Sequence, residues 1–324
     1  MIRTLPRPYM LLAFAGLFIT GLLLGRHVFP AAVPQQGLDL REGVQSEYRH
    51  INPLLSCADL ESPLPSKVHD MEQEMTKYID SQKAAGTVAQ VSVYFRDLSN
   101  GPWFGIHGEE TFSPSSLLKV PLMMSLFRKA ETDPSVLAVP IVYENASPQV
   151  TQLIAPRKKL TYGSTYPAAE LLETMITTSD NSAAVLLYRT LGQEQVAQTY
   201  TDLGLDSPDP RKDYSIQVHE YASFFRLLYN ATYLSPENSE RSLALLTRTE
   251  YRDGIVAGIP EDIDVAHKFG EREVQGMDQL HDCGIVYVPG RPYILCVMTR
   301  GPDLDRLPAV LQTVSSIAYR YQKE

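Results

Sequence analysis

Residues 112–127 read FSPSSLLKVPLMMSLF, two serines ahead of an apolar run that contains one lysine, Lys119. Ser116 and Lys119 are three residues apart. On a helix that spacing sets both on one face, one turn apart. A serine hydroxyl becomes a useful nucleophile when a neighbouring base takes its proton. A lysine serves as that base once burial or a second cation lowers its pKa. Leu118 and Val120 flank Lys119, and Pro121, Leu122, Met123 and Met124 follow, so the charge is not on an ordinary solvated face. Alone, S-x-x-K is a weak motif: an N-cap serine with a snorkelling lysine has the same spacing.

Two more stretches hold residue types suited to the same chemistry. TTSDN, 177–181, lies between two helical patterns. At a tight inter-helix turn, Ser179 and Asn181 can point into one cleft, while Asp180 caps the next helix or braces the loop. The plainer reading is a capping sequence. HKFG, 267–270, ends a strand pattern. Lys268 there could offer a positive charge to a substrate carboxylate, and Gly270 could let a ligand lie close to the backbone. Its plainer reading is a strand end before a turn.

The elements that must position these residues follow from hydrophobic period. SKVHDMEQEMTKYIDSQKA, 66–84, carries Val68, Met71, Met75, Tyr78 and Ile79 at helical spacing. TVAQVSVYFRD alternates as a strand, SNGP signals a turn, and WFGIH forms a second strand. A helix starts near Ser116. YPAAELLETMI, SAAVLLYRTLG, residues 193–203, 217–231 and 236–249 supply a block of helices. SPDPRKD, 207–213, is a loop. DVAHKFG, CGIVYV and YILCVMTRG then read as three strands, and LDRLPAVLQTVSSIAYRYQ as a closing helix. The expected class is α+β: an antiparallel sheet of about five strands shared by the two ends of the chain, with flanking helices and an inserted helical block at about 116–250. A cleft between the two parts is the natural pocket.

In combination, S-x-x-K, S-D-N and K-x-G in that order are the signature of serine penicillin-recognising enzymes. The chain resembles the class A β-lactamase family and its close serine-hydrolase relatives over roughly residues 66–322. Phe112 four residues before the serine, the helical block, and the final GIVYVPGRPYILCVMTRG hairpin add to the likeness. The resemblance implies a β-lactamase/transpeptidase-like fold and an acyl-serine mechanism. Ser116 would be acylated, Lys119 would relay its proton, and Ser179 would pass a proton to the leaving group. Asn181 would bind the substrate's amide side chain, and Lys268 would orient its acidic group. The backbone N–H groups of Ser116 and Glu271 would form the oxyanion hole.

Two departures matter. Phe269 stands where the family carries serine or threonine, and a phenyl ring cannot donate to a carboxylate. In DLGLDSPDPRKDYSIQVHEYASFF no E-x-x-L-N pattern supplies a water-holding glutamate. Glu220 is expected within a helix facing solvent, and Asp209 and Asp213 are weaker candidates. The expectation is therefore slow deacylation. Three roles stay open: a β-lactamase, a cell-wall peptidase like the penicillin-binding proteins, and a membrane-anchored binding module with weakened acyl chemistry.

The formal net charge of -9 gives no support for nucleic-acid binding. No cysteine cluster or HExxH spacing suggests a metal, and no cofactor is expected. The N-terminus places Arg3 and Arg7 before an uncharged stretch from Pro8 to Gly25. Residues 1–27 are read as a signal anchor or a signal peptide, with a poorly formed cleavage site near Ala31–Ala32. Residues 28–64 are read as an extracytoplasmic tether, with a short helix at 39–50, and residues 65–324 as the hydrolase domain. The expected partners are the membrane and a small β-lactam or cell-wall peptide, on a monomeric chain. In CGIVYVPGRPYILC a two-residue Pro289–Gly290 loop would set Cys283 opposite Cys296. That pair is either a cross-strand disulfide or two buried thiols. Cys57 has no obvious partner.

Overall fold

The computed structural model describes residues 48–53, 66–99, 101–144, 152–156, 159–209 and 213–323. The N-terminal segment 1–27, most of the 28–64 tether and Cys57 lie outside the described residues. Among those described, no helix is long and apolar enough to cross a membrane.

Helix α1, Ser66–Ala84, buries Met71, Met75 and Ile79, four residues apart on one face. Strands β1, Gln90–Asp97, and β2, Trp103–Ile106, pair antiparallel. The short strand β3, Thr111–Phe112, leads into a 3-10 turn at Ser115–Leu118 and then helix α2, Lys119–Thr132. A two-stranded ribbon, β4, Pro140–Val142, with β5, Thr165–Pro167, precedes helix α3, Ala168–Thr177. Helices α4, Asn181–Leu191, and α5, Gln193–Asp202, follow. Strand β6, Ile216–Gln217, pairs with β3 ahead of α6, Val218–Tyr229, and α7, Pro236–Leu246. Strands β7, Val265–Val274, β8, Met277–Val286, and β9, Tyr293–Gly301, complete the sheet, and α8, Leu307–Lys323, closes the chain.

The main sheet has the order β2-β1-β9-β8-β7, antiparallel throughout. This is the α+β, β-lactamase/transpeptidase-like arrangement, with the helical subdomain inserted between the two halves of the sheet. Alternation along the strands separates two cores. Ala266, Cys283, Ile285, Cys296 and Met298 pack with the helical subdomain. Val265, Phe269, Leu280, Leu295 and Val297 pack with the apolar faces of α1 and α8. Because β7 is the edge strand, its free side can face the 3-10 turn at Ser115–Leu118.

The structure departs from the sequence reading where polar residues mask the alternation. β7 runs on through EREV, and β8 begins at MDQLHD rather than at Cys283. The joining residues Gln275 and Gly276 have φ of 54° and 78°, the left-handed pair of a tight primed hairpin turn. α3 begins at Ala168, because Pro167 is its cap rather than a residue of its first turn. The ribbons β3–β6 and β4–β5 are too short to leave a periodic signal.

Residues 48–53 are no loose tether. The Glu240 carboxylate accepts from the backbone N–H groups of Arg49, His50 and Ile51 at 3.1, 2.8 and 3.1 Å, and Ile51 is buried. Residues 48–50 are not helical, so the short helix expected at 39–50 does not reach its predicted end.

The hairpin of β8 and β9 carries Cys283 directly opposite Cys296, and the structure joins them by a disulfide with Cα atoms 3.9 Å apart. At its tip Arg291 N–H donates to the Val288 carbonyl at 2.9 Å, with Gly290 at φ 73°. That is a type II geometry, Pro then Gly at the central positions. The strand ladder stops at Val286 and Tyr293, so this turn leaves the register of a two-residue loop intact.

Candidate active site

The turn that carries Ser116 is held from two sides, by α6 and by β7. Residues at the start of a helical turn keep N–H groups without intrahelical partners, and Ser116 is the second residue of its 3-10 turn. The hydroxyl of Tyr221 on α6 donates to the Leu117 carbonyl at 3.0 Å. A Cβ on Gly270 would lie 2.7 Å from the Pro114 carbonyl oxygen and 3.1 Å from the Leu117 nitrogen. Gly270 therefore admits the serine turn against β7; the sequence reading reserved that space for a ligand.

Lys119 is the hub. Its Nζ lies 2.9 Å from Ser116 Oγ, 2.6 Å from the Ser179 carbonyl, 3.1 Å from Ser179 Oγ and 2.7 Å from Asn181 Oδ1. The side chain is buried, and that burial lowers its pKa to about 7 against the pull of Asp180 and Glu271. Two of the four oxygens around the amine are carbonyls, which can only accept.

Ser179 closes the set. Its φ is 59°, a strained left-handed conformation for a non-glycine residue. Three contacts hold it there. Asp180 caps α4 by accepting from Ala183 N–H at 2.8 Å, and the Ser179 carbonyl takes bonds from Lys119 and from Gln152 Nε2, the latter at 2.9 Å. Lys268 Nζ donates to Ser179 Oγ at 2.8 Å and to the Phe269 carbonyl at 2.9 Å. Lys268 is fully buried, and its pKa is pushed well below the usual lysine range by desolvation and then by the charge of Lys119.

Ser116, Lys119, Ser179, Asn181 and Lys268, spread over more than 150 positions of sequence, thus meet at one point. Two of the expected site residues lie beneath the cleft surface. Lys268 reaches the cleft through Ser179 and presents no open face to a substrate carboxylate. Phe269 is buried, stacked on Tyr251 at 4.2 Å between centroids and with Lys268 Nζ 4.1 Å from its ring centre, and it does not line the cavity beside Ser116.

Glu271 does more than lend an N–H. Ser115 Oγ donates to its carbonyl at 2.6 Å. In a strand a residue's N–H and C=O point to the same side, so the Glu271 N–H also faces the serine turn. Its carboxylate accepts from the backbone N–H groups of Leu153 and Ile154 at 3.2 and 3.4 Å. Burial raises its pKa, partly offset by those two hydrogen bonds. Sequence reasoning missed Gln152, Leu153 and Ile154, which sit in a stretch without periodicity. It also missed Ser115, although the paired serines were a visible hint.

Ser116, Lys119, Asn181 and Glu271 line a cavity of about 920 Å³. Among the described residues the carboxylates at its wall are Glu271 and Glu273. Glu220 is instead bound into a capping box, its carboxylate accepting from Gln217 N–H at 2.9 Å. Asp213 lines a separate pocket with Arg272 and Arg300. Among the described residues no group of His, Cys, Asp and Glu is placed to hold a metal.

The fold is that of the beta-lactamase and penicillin-binding-protein class. The chain belongs to the beta-lactamase enzyme family, whose model matches residues 70–322. No curated protein matches the sequence. Among solved structures, that of PBP-A is 23% identical with a TM-score of 0.66, covering 80% of this chain and 97% of its own. A mutant of PBP-A, solved as an acyl-enzyme complex with penicillin G, is 22% identical with a TM-score of 0.67, covering 80% and 98%. A beta lactamase from Xanthomonas campestris is 19% identical with a TM-score of 0.66, covering 78% and 98%.

Proposed function

We propose that this protein is an extracytoplasmic serine hydrolase that forms an acyl-enzyme on Ser116 and releases it slowly. The observation that carries the reading is the contact of Ser116 Oγ with a buried lysine whose pKa is near neutrality. A neutral Lys119 has two hydrogens, which the Ser179 carbonyl and Asn181 Oδ1 accept. Its lone pair is then left for the Ser116 proton. Ser116 Oγ bonds to the substrate carbonyl carbon as that proton passes to Lys119. The carbonyl oxygen takes up negative charge between the N–H groups of Ser116 and Glu271. The bond to the leaving oxygen or nitrogen breaks, and that atom takes the Ser179 hydroxyl proton, which Lys119 replaces with the one it took from Ser116, while Lys268 polarises the hydroxyl. Water later attacks the acyl carbon and frees Ser116.

The same fold in a mutant of PBP-A holds an acyl group from penicillin G, which supports acylation of this chain by an activated amide. The cell-wall peptidase reading is favoured over a β-lactamase by one feature. The two cavity carboxylates sit on β7, and the three candidates in the loop and helix before α7 are not at the cavity wall. The segment 1–27 would place the domain outside the cytoplasmic membrane. Incubation with a fluorescent penicillin, followed by intact mass and peptide mapping, tests the reading. An adduct on Ser116 is expected, and an adduct elsewhere or none from any activated ester or amide would sink it.

A further inference from the structure

The cavity beside Ser116 is asymmetric. One arm runs between α2, α4 and α5 and is walled by Leu118, Leu122, Ala184, Val185, Val196 and Tyr200. Those side chains are apolar or, for Tyr200, buried against aromatic neighbours, with its ring 5.8 Å from Phe224 and 6.2 Å from Tyr214. The other end, towards Lys268, is closed. Gln152 is tied to the Ser179 carbonyl, Leu153 and Ile154 to the Glu271 carboxylate, and Ile154 packs against the core that contains Phe269. This strap joins the two walls of the cleft at that end. At this end Lys268 has no exposed surface and Phe269 is buried, and among the described residues the arginines that line the cavity are Arg272, next to Glu271 on β7, and Arg189 on α4.

Resting on the acyl-serine reading above, we propose that the substrate is an ester or amide whose acyl group is an apolar chain seated in this arm. The occupant follows from position. The arm opens from the nucleophile itself, so the group it takes is the one attached to the carbonyl that Ser116 attacks. Its walls provide contact area without hydrogen-bonding demands, and each methylene buried there favours binding by about fourfold.

Two measurements on the full-length chain test this. In the first, pre-steady-state release of p-nitrophenol is followed for the p-nitrophenyl esters from acetate to octanoate. Acylation should rise about fourfold per methylene until the arm is filled, and Ala184→Phe, which shortens the arm, should move the optimum to shorter chains. A flat or falling series, or an optimum that Ala184→Phe leaves in place, overturns the proposal. In the second, calorimetry on Ser116→Ala compares octanamide with butyramide, and does not depend on acyl transfer. Tighter binding of the longer amide, lost in the Ser116→Ala, Ala184→Phe double variant, supports the ligand class. If it binds so while no ester acylates Ser116, the acyl-serine reading fails and the ligand class stands. If acylation by short esters proceeds and octanamide binds no better, the acyl-serine reading stands and the proposal fails.

Discussion

Two walls face each other across Ser116, and they are made of different materials. The wall towards Ser179 and Lys268 is polar, buried and saturated with hydrogen bonds. Every nitrogen on its two lysines is within 3.1 Å of at least two oxygens. The wall towards α4 and α5 is apolar and open, with Asn181 and Arg189 as its polar margin. The acylation proposed above needs a base, a proton relay and two fixed donors, and the polar wall holds the residues proposed for each role. A second step needs a water held by a base on the far side of the acyl carbon, and the apolar wall provides no carboxylate for it among the described residues. On the proposed acyl-serine reading, the contrast teaches that acylation and deacylation are separable demands, each placed on a different wall.

The largest effect that would break the comparison is loss of the nucleophile. Ser116→Ala should abolish covalent labelling by an activated ester, in line with the roughly million-fold losses seen when a serine nucleophile is removed. Residual labelling on another residue, read by mass spectrometry, would shift the chemistry away from the polar wall altogether.

Next in size is the ratio of the two steps. Stopped-flow acylation by a reactive cephalosporin should exceed the decay of the adduct by more than tenfold, so the adduct accumulates. Rapid multiple turnover with no adduct in the mass spectrum would mean that Glu271 or Glu273 holds the water, and the two walls would have to be read the other way round.

The polar wall also makes a pH prediction. Lys119 must be neutral to accept the Ser116 proton, and its pKa is about 7. Acylation should therefore fall tenfold per pH unit below 7 and level off above it. The sign for stability is the same. Between about pH 7 and the ordinary lysine pKa of 10.5, the unfolded chain binds a proton that the folded chain has released, so folding stability rises with pH across that window. A flat rate between pH 5 and 8 would remove Lys119 as the base.

A smaller loss is expected at the seam between the walls. Gly270→Ala puts a Cβ 2.7 Å from the Pro114 carbonyl oxygen, so the serine turn must move by several tenths of an ångström. Displacements of that order at a reacting group cost about ten- to a hundredfold. Acylation should drop by that amount while far-ultraviolet circular dichroism stays unchanged.

Legibility differed between the walls in the same way. Ser116, Lys119, Ser179, Asn181 and Lys268 sit in three short motifs whose order is readable, because helix turns and strand ends fix their directions locally. The sheet was readable where β-branched and apolar residues alternate, as in β1 and β9, and not through EREV and MDQLHD, where half-exposed charges on an edge hairpin replace the pattern. The strap at Gln152–Ile154 was invisible, since its partners are 27 and about 118 residues away in sequence and its own residues carry no period. The role of Gly270 was misjudged for a related reason: which atoms approach a glycine is decided by tertiary packing alone.

The smallest effect on catalysis is expected from the Cys283–Cys296 disulfide. Cys283 is the direct partner of Lys268 in the β7–β8 register, yet its side chain packs in the core shared with the helical subdomain rather than at the cavity. The hydrogen-bonded ladder on both sides of it persists without the bond. Acylation by a reactive ester should then change by less than twofold in Cys283→Ser, Cys296→Ser or under reductant. Stability should respond instead. Closing a loop with a sequence separation of 13 restricts the unfolded chain, with a typical contribution of about 3 kcal/mol for such a loop. That corresponds to a fall of several degrees in Tm for a domain of this size. Thermal melts with and without reductant, alongside thiol counting on denatured protein, check both halves. Three free thiols in the oxidised protein would remove the bridge, and a large loss of acylation with an unchanged Tm would make the hairpin part of the polar wall.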